Sequence, residues 1–182
     1  MNEARLQRLT ETLWPSTDKS GEHQVHWLLD GARDPEILRL IRLSGLAHSC
    51  LFSGRLHPRL QAAAPYLVHL PAGSPATERL LLQGWGKAWG VLTVAPAAVT
   101  LAQQRLHLKK LLRVQLEDGT VVAFRFYDPR VLNVYMPTCT DAECRVMLGP
   151  LRAFVAESND GTRLRSFTHD EAHVARDTDL GH

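Results

Sequence analysis

Long apolar runs are missing from this chain of 182 residues. None approaches the roughly 20 apolar positions that a helix needs to cross a bilayer. No membrane partner is therefore expected. The start, Met1 to Arg5, is polar and leads into no apolar signal core, so the expected location is the cytoplasm. Cysteine is scarce, with only Cys50, Cys139 and Cys144. An odd count without a leader argues for free thiols, not a disulfide framework. Cys139 and Cys144 lack the Cys-x-x-Cys spacing of a zinc knuckle, and no metal is expected. Strong charge of one sign is also absent, the net value being +2. A nucleic-acid protein usually concentrates its basic residues on one face with aromatics between them. The densest basic stretch here, Arg105, Lys109, Lys110 and Arg113, reads as a solvated helix face. No nucleic-acid partner is expected.

Catalytic motifs are missing too. Neither Gly-x-x-x-x-Gly-Lys-Ser/Thr nor Gly-x-Gly-x-x-Gly occurs, so no phosphate loop is present. Gly84, Gly86 and Gly90 are close together, but Trp85 and Trp89 crowd the backbone that a phosphate would approach. There is no Gly-x-Ser-x-Gly elbow and no His-Glu-x-x-His. His169 and His173 stand one helical turn apart in a polar stretch, which fits solvated side chains. Asp30, Asp34, Asp118 and Asp128 all sit where turns and helix caps favour aspartate. The expectation is a non-enzyme that needs no cofactor.

What is present is an ordinary globular composition, 45% apolar and 22% charged. The length suits one domain. Residues 1–22 form a polar N-terminal segment, with Leu6, Leu9 and Leu13 spaced for one short helix. Residues 23–157 form the main domain. Residues 158–182 lack periodicity and are expected to be a polar, mobile tail. From Glu157 onward six acids face three arginines, so the tail is acidic and the rest basic.

Inside the domain, strands are expected at 25–29, 47–52, 66–70, 91–94 and 151–156. Asp34-Pro35 and Ser74-Pro75 open helices, and Gly45 and Gly84 close them. Ala97 to Lys110 is the longest helical pattern. Leu112, Val114 and Leu116 alternate before Asp118-Gly119, and Val122, Phe124 and Phe126 alternate after it. Asp-Gly between such runs is the strongest short hairpin signal. Thr140 to Glu143 fits a capping box. The fold class is α/β (α+β), a mixed sheet with helices on its faces and a hairpin near 112–126.

Val121 to Leu132 is the most informative segment. Phe124 and Phe126 share one strand face, and Arg125 and Tyr127 the other. Asp128-Pro129 then starts a helix. Two readings stand: a corner locked by Asp128 with Arg125 in a fixed ion pair, or a polar platform for a partner. A small ligand-binding or hydrolytic domain is the alternative, with a pocket near Arg125, Asp128 and His26 or His69.

Four pieces, in order, resemble a known family. They are Trp27 to Arg33, Ala64 to Val68, Trp89 to Leu92, and Asp118-Gly119 followed by Phe124 to Leu132. Together they are similar to the effector-adaptor, or effector-chaperone, family of bacterial type VI secretion systems (the Tap/TEC group). The resemblance implies a protein that binds a cognate toxin, usually through the toxin's N-terminal region. It further implies help in loading that toxin onto the VgrG spike. By match of motif it points to Asp30, Arg125, Tyr127, Asp128 and Arg130. Trp85 and Trp89 join them as aromatic candidates for the client grip, with core and interface both open. The strands at 66–70 and 151–156 are candidate edges for β-augmentation. Family members often continue into a helical lobe after the position of Leu151, where this chain has only its expected tail. The grip is then expected on the sheet lobe.

Overall fold

A computed structural model describes residues 1–15, 21–158, 160–169 and 176–181. The chain opens with α1 (Glu3–Leu13), β1 (His23–Asp30), α2 (Glu36–Ser44) and β2 (His48–Cys50). It continues through α3 (Pro58–Ala62), β3 (Pro65–Leu70), α4 (Pro75–Gly84), β4 (Gly90–Pro96) and α5 (Leu101–Lys110). The hairpin strands β5 (Arg113–Gln115) and β6 (Val121–Ala123) precede α6 (Pro129–Tyr135) and α7 (Asp141–Leu148). The last strands are β7 (Ala153–Glu157), β8 (Arg163–Thr168) and β9 (Arg176–Asp179).

The main sheet has seven strands in the order β2-β3-β1-β4-β7-β8-β9. Its pairings are antiparallel. β1 lies near the middle and is buried from Val25 to Asp30. A strand buried on both faces carries an unbroken apolar run, and Val25-His26-Trp27-Leu28-Leu29 comes close to one. Odd and even positions serve different cores. Val25, Trp27 and Leu29 join Ile37, Ile41, Leu80 and Leu81 under α1, α2 and α4. Leu28 joins Leu108, Leu132, Met147 and Leu148 under α5, α6 and α7. The expected helix-flanked sheet is therefore what forms, as three layers.

The caps behave as their residues dictate. Asp34 Oδ1 accepts from the Glu36 amide at 2.9 Å, Asp118 Oδ1 from Thr120 at 2.8 Å and Asp128 Oδ1 from Arg130 at 3.0 Å. The Thr140–Glu143 capping box forms in both directions. The hairpin closes at Asp118-Gly119, with Gly119 at φ 83°, but it makes its own small sheet rather than joining the main one.

Three expectations change. Residues 163–168 and 176–179, read as part of a mobile tail, are strands, and Leu164, Phe167 and Leu180 are buried. The polar N-terminal segment, read as separate from the main domain, carries the helix its leucines were spaced for, and Leu9 and Leu13 enter the core. The strands at 66–70 and 151–156 are not free edges. β3 lies between β2 and β1, and β7 between β4 and β8, so both ladders are occupied.

One polar stripe crosses the sheet beneath α5. His26 faces His69 with ring centroids 5.0 Å apart. Burial, then the neighbouring His69, pushes the His26 pKa down to about 3, so the ring is neutral. Next to it Thr93 Oγ1 donates to Gln104 Oε1 at 3.4 Å.

Candidate functional site

The end of β1 meets the strand-to-helix corner after β6. Asp30 is 1% exposed and its Oδ1 accepts from the Ala32 amide at 3.1 Å. Its Oδ2 accepts from Arg125 Nη2, whose side chain is about half exposed. The Arg125 guanidinium also lies 6.0 Å from the centre of the Tyr127 ring. Tyr127 is buried, and burial together with the Asp30 charge pushes its phenol up. Asp128 caps α6 and holds Arg130 in a fork: Nε to Oδ1 at 2.9 Å and Nη2 to Oδ2 at 2.6 Å. Burial pushes the Asp128 carboxyl up, but the Arg130 bonds outweigh it and the net direction is down. Each acid is thus engaged by its own arginine, and the Asp128 carboxyl is held toward its ionised form. This satisfies the rule that a buried charge needs both a partner and hydrogen bonds.

A second arrangement sits beside this corner, and sequence reasoning missed it. The loop after α4 turns sharply. Gly86 has φ 86° and Ala88 has φ 52°, a conformation rare for a residue with a side chain. That backbone aims the amides of Gly86 and Ala88 at the two carboxylate oxygens of Glu157, at the end of β7. Glu157 is 4% exposed. Burial pushes its pKa up to about 7, against the pull of those amides and of Arg33. Trp85 Nε1 donates to the Gly161 carbonyl at 2.9 Å, fastening the loop to the turn before β8. A Cβ on Gly161 would lie 2.7 Å from the Gly86 Cα, so the two backbones need glycine to meet. Together these segments wall a groove of about 890 Å³, closed on its far side by α6.

The sequence candidates divide cleanly. Asp30, Arg125, Tyr127, Asp128 and Arg130 come together at the corner. Trp85 and Trp89 are core residues, 4% and 3% exposed, so neither is an exposed aromatic grip. Their glycine-rich setting left core and interface both open, and the indoles fold back under α4 into the apolar cluster. His26 lies on the same strand face as Asp30, but about 13 Å along β1 at roughly 3.3 Å per residue. It and Asp128 therefore do not share a pocket. Arg105 and Lys109 are occupied by the loop after β2: Arg105 Nε donates to the Cys50 carbonyl at 2.6 Å and Lys109 Nζ to Ser53 Oγ at 2.6 Å. His169 is exposed, and His173 lies outside the described residues. Among the described residues no group of His, Cys, Asp and Glu could hold a metal ion. No helix among them is long and apolar enough to cross a membrane.

The fold and corner define a helix-flanked antiparallel sheet with a paired polar corner at the end of its central strand. A family model described as a domain of unknown function, DUF4123, matches residues 25–145. The chain belongs to that family, the effector adaptors of type VI secretion, as the motif resemblance implies. No curated protein matches, and no solved structure matches.

Proposed function

We propose that this protein is a non-enzymatic adaptor that binds a cognate effector toxin in the cytoplasm and hands it to the VgrG spike. The observation that carries this reading is the family match across residues 25–145, which spans the whole polar corner. The corner's chemistry agrees with it. Asp30 and Asp128 are each committed to an arginine and a backbone amide, which leaves neither carboxylate to move a proton. A general acid or base must reach its substrate's proton, and these are held away from it. What the corner offers outward is the exposed half of Arg125 and Arg130.

The test is co-purification. The protein is tagged in its native cell and recovered at moderate salt while the secretion system is expressed. A toxin or spike protein in stoichiometric amount is the expected result. A clean monomer under those conditions sinks the reading.

A further inference from the structure

The groove beside the corner is lined by five cations, of which two stand outside any ion pair among the described residues. Arg33, Lys87, Arg130, Arg163 and Arg165 line it, against the carboxylates of Glu157 and Asp160. The acids are satisfied internally. Glu157 takes the Gly86 and Ala88 amides, and Asp160 takes the Ser158 hydroxyl at 2.6 Å and the Thr162 amide at 3.0 Å. Arg130 is held by Asp128, while Arg163 and Arg165 share one carboxylate, that of Asp177. Arg33 and Lys87 enter no ion pair among the described residues. Arg33 donates Nε to the Ala88 carbonyl at 3.2 Å, and Lys87 lies 5.0 Å from the Trp89 ring centre. Both contacts hold the side chains at the rim; the Arg33 charge is also felt by Glu157 and Asp128, but neither cation is locked in an ion pair among the described residues.

The walls also carry apolar surface. Val134 on α6 is 71% exposed in a helix whose other face is core. Among the described residues the lining contains no aromatic side chain. Stacking on aromatics is how proteins hold single-stranded bases, so this surface does not fit a nucleic acid. The volume lies within the range of about 300–1,000 Å³ typical of ligand clefts. The positive φ at Ala88 marks a strained loop wall, held in place by the Glu157 carboxyl that takes its amide.

We infer that this groove is the client grip and takes an acidic polypeptide segment, its carboxylates on Arg33 and Lys87 and an apolar side chain against Val134. The inference rests on the adaptor reading and adds to it the place and the chemistry of the contact. Charge complementarity of this kind governs specificity and association rate, and truncating a desolvated partner raises the off-rate.

The experiment uses the client identified by co-purification. Arg33→Glu with Lys87→Glu reverses the groove. Arg39→Glu with Arg79→Glu makes the same charge change on the cleft between α2 and α4, which those arginines line. The groove variant should weaken client binding by about a hundredfold, and the control by less than about threefold. A photo-crosslinking residue at Val134 should capture a client segment with excess Asp and Glu, identified by mass spectrometry. Full binding by the groove variant, a crosslink to a neutral or basic segment, or release of the complex by nuclease overturns the inference while the adaptor reading stands. A wild-type protein with no client at all removes both.

Discussion

Two charged regions lie side by side in this molecule and have been put to different uses. At the corner, Asp30, Arg125, Asp128 and Arg130 neutralise one another in two pairs. In the groove, Arg33 and Lys87 enter no ion pair among the described residues, although Glu157 lies near enough to feel the Arg33 charge. Glu157 spends its oxygens on backbone amides instead. The difference teaches that a recognisable motif and an available charge are separate matters. The corner supplies the recognisable residues, and the groove holds the cations that stand outside any ion pair among the described residues. Perturbing each region should therefore give a different readout.

The largest effect is expected at the support of the groove loop. Trp85 sits in the core and ties the groove loop to the turn before β8. Trp85→Ala should cost about 3–5 kcal/mol, the range for removing a buried large aromatic. Chemical denaturation would measure it. A change below about 1 kcal/mol would mean that the indole is not core. The same result bears on binding studies: client loss on Trp85→Ala reports a damaged fold, not a lost contact.

The corner comes next, and it is asymmetric. Arg125→Ala leaves the Asp30 carboxylate buried with only the Ala32 amide, and should cost about 3 kcal/mol. Asp30→Asn leaves a half-exposed guanidinium that water can serve, and should cost about 1 kcal/mol. The order of the two midpoints is the test. If Arg125→Ala is as stable as the wild type yet binds no client, the corner is a platform and not a lock.

That asymmetry also shows what a sequence can reveal. The Asp128 cap, the Thr140 capping box and the Asp118-Gly119 turn were legible, because each is a bargain among residues a few positions apart. The Asp30–Arg125 pair joins residues 95 positions apart, and only the folded sheet brings them together. β8 was illegible for another reason. Its two large apolar residues, Leu164 and Phe167, enter different cores, so neither face of the strand shows an apolar alternation. The buried role of Glu157 was hidden likewise. Nothing local marks an acid whose partners are amides of a loop some 70 positions earlier.

Glu157 offers a test through pH. Its carboxyl holds a proton more tightly when folded, with its pKa raised from 4.5 to about 7. The folded chain therefore binds more protons than the unfolded one between those values. Stability from this group is full below about 4.5, falls as pH rises toward 7, and is level beyond. At about 1.4 kcal/mol per pH unit the loss is of the order of 3 kcal/mol. His26 works the other way. Its neutral folded form resists protonation, so it removes stability as pH falls below the ordinary 6.5 toward about 3. The two slopes oppose each other, and the readout must be a difference. Unfolding of the wild type and of Glu157→Gln is measured at pH 5 and pH 8. The wild type should lose more on going to pH 8 than the variant does. Equal changes would show that Glu157 stays ionised throughout, held by its two amides.

The smallest stability effect belongs to the groove, and its smallness is the point. Arg33 and Lys87 are rim cations outside any ion pair among the described residues. Arg33→Ala loses one bond to a carbonyl and a solvent-screened attraction to Glu157 and Asp128, and Lys87→Ala one exposed contact with an indole face. Changes of this kind usually stay within about 0.5 kcal/mol. A thermal melt of each variant should therefore overlay the wild type, while Arg125→Ala shifts clearly downward. If Arg33→Ala proves as damaging as Arg125→Ala, the Ala88 carbonyl bond is part of the frame. The groove would then be a second lock, with its positive charge serving the strained loop and not a guest.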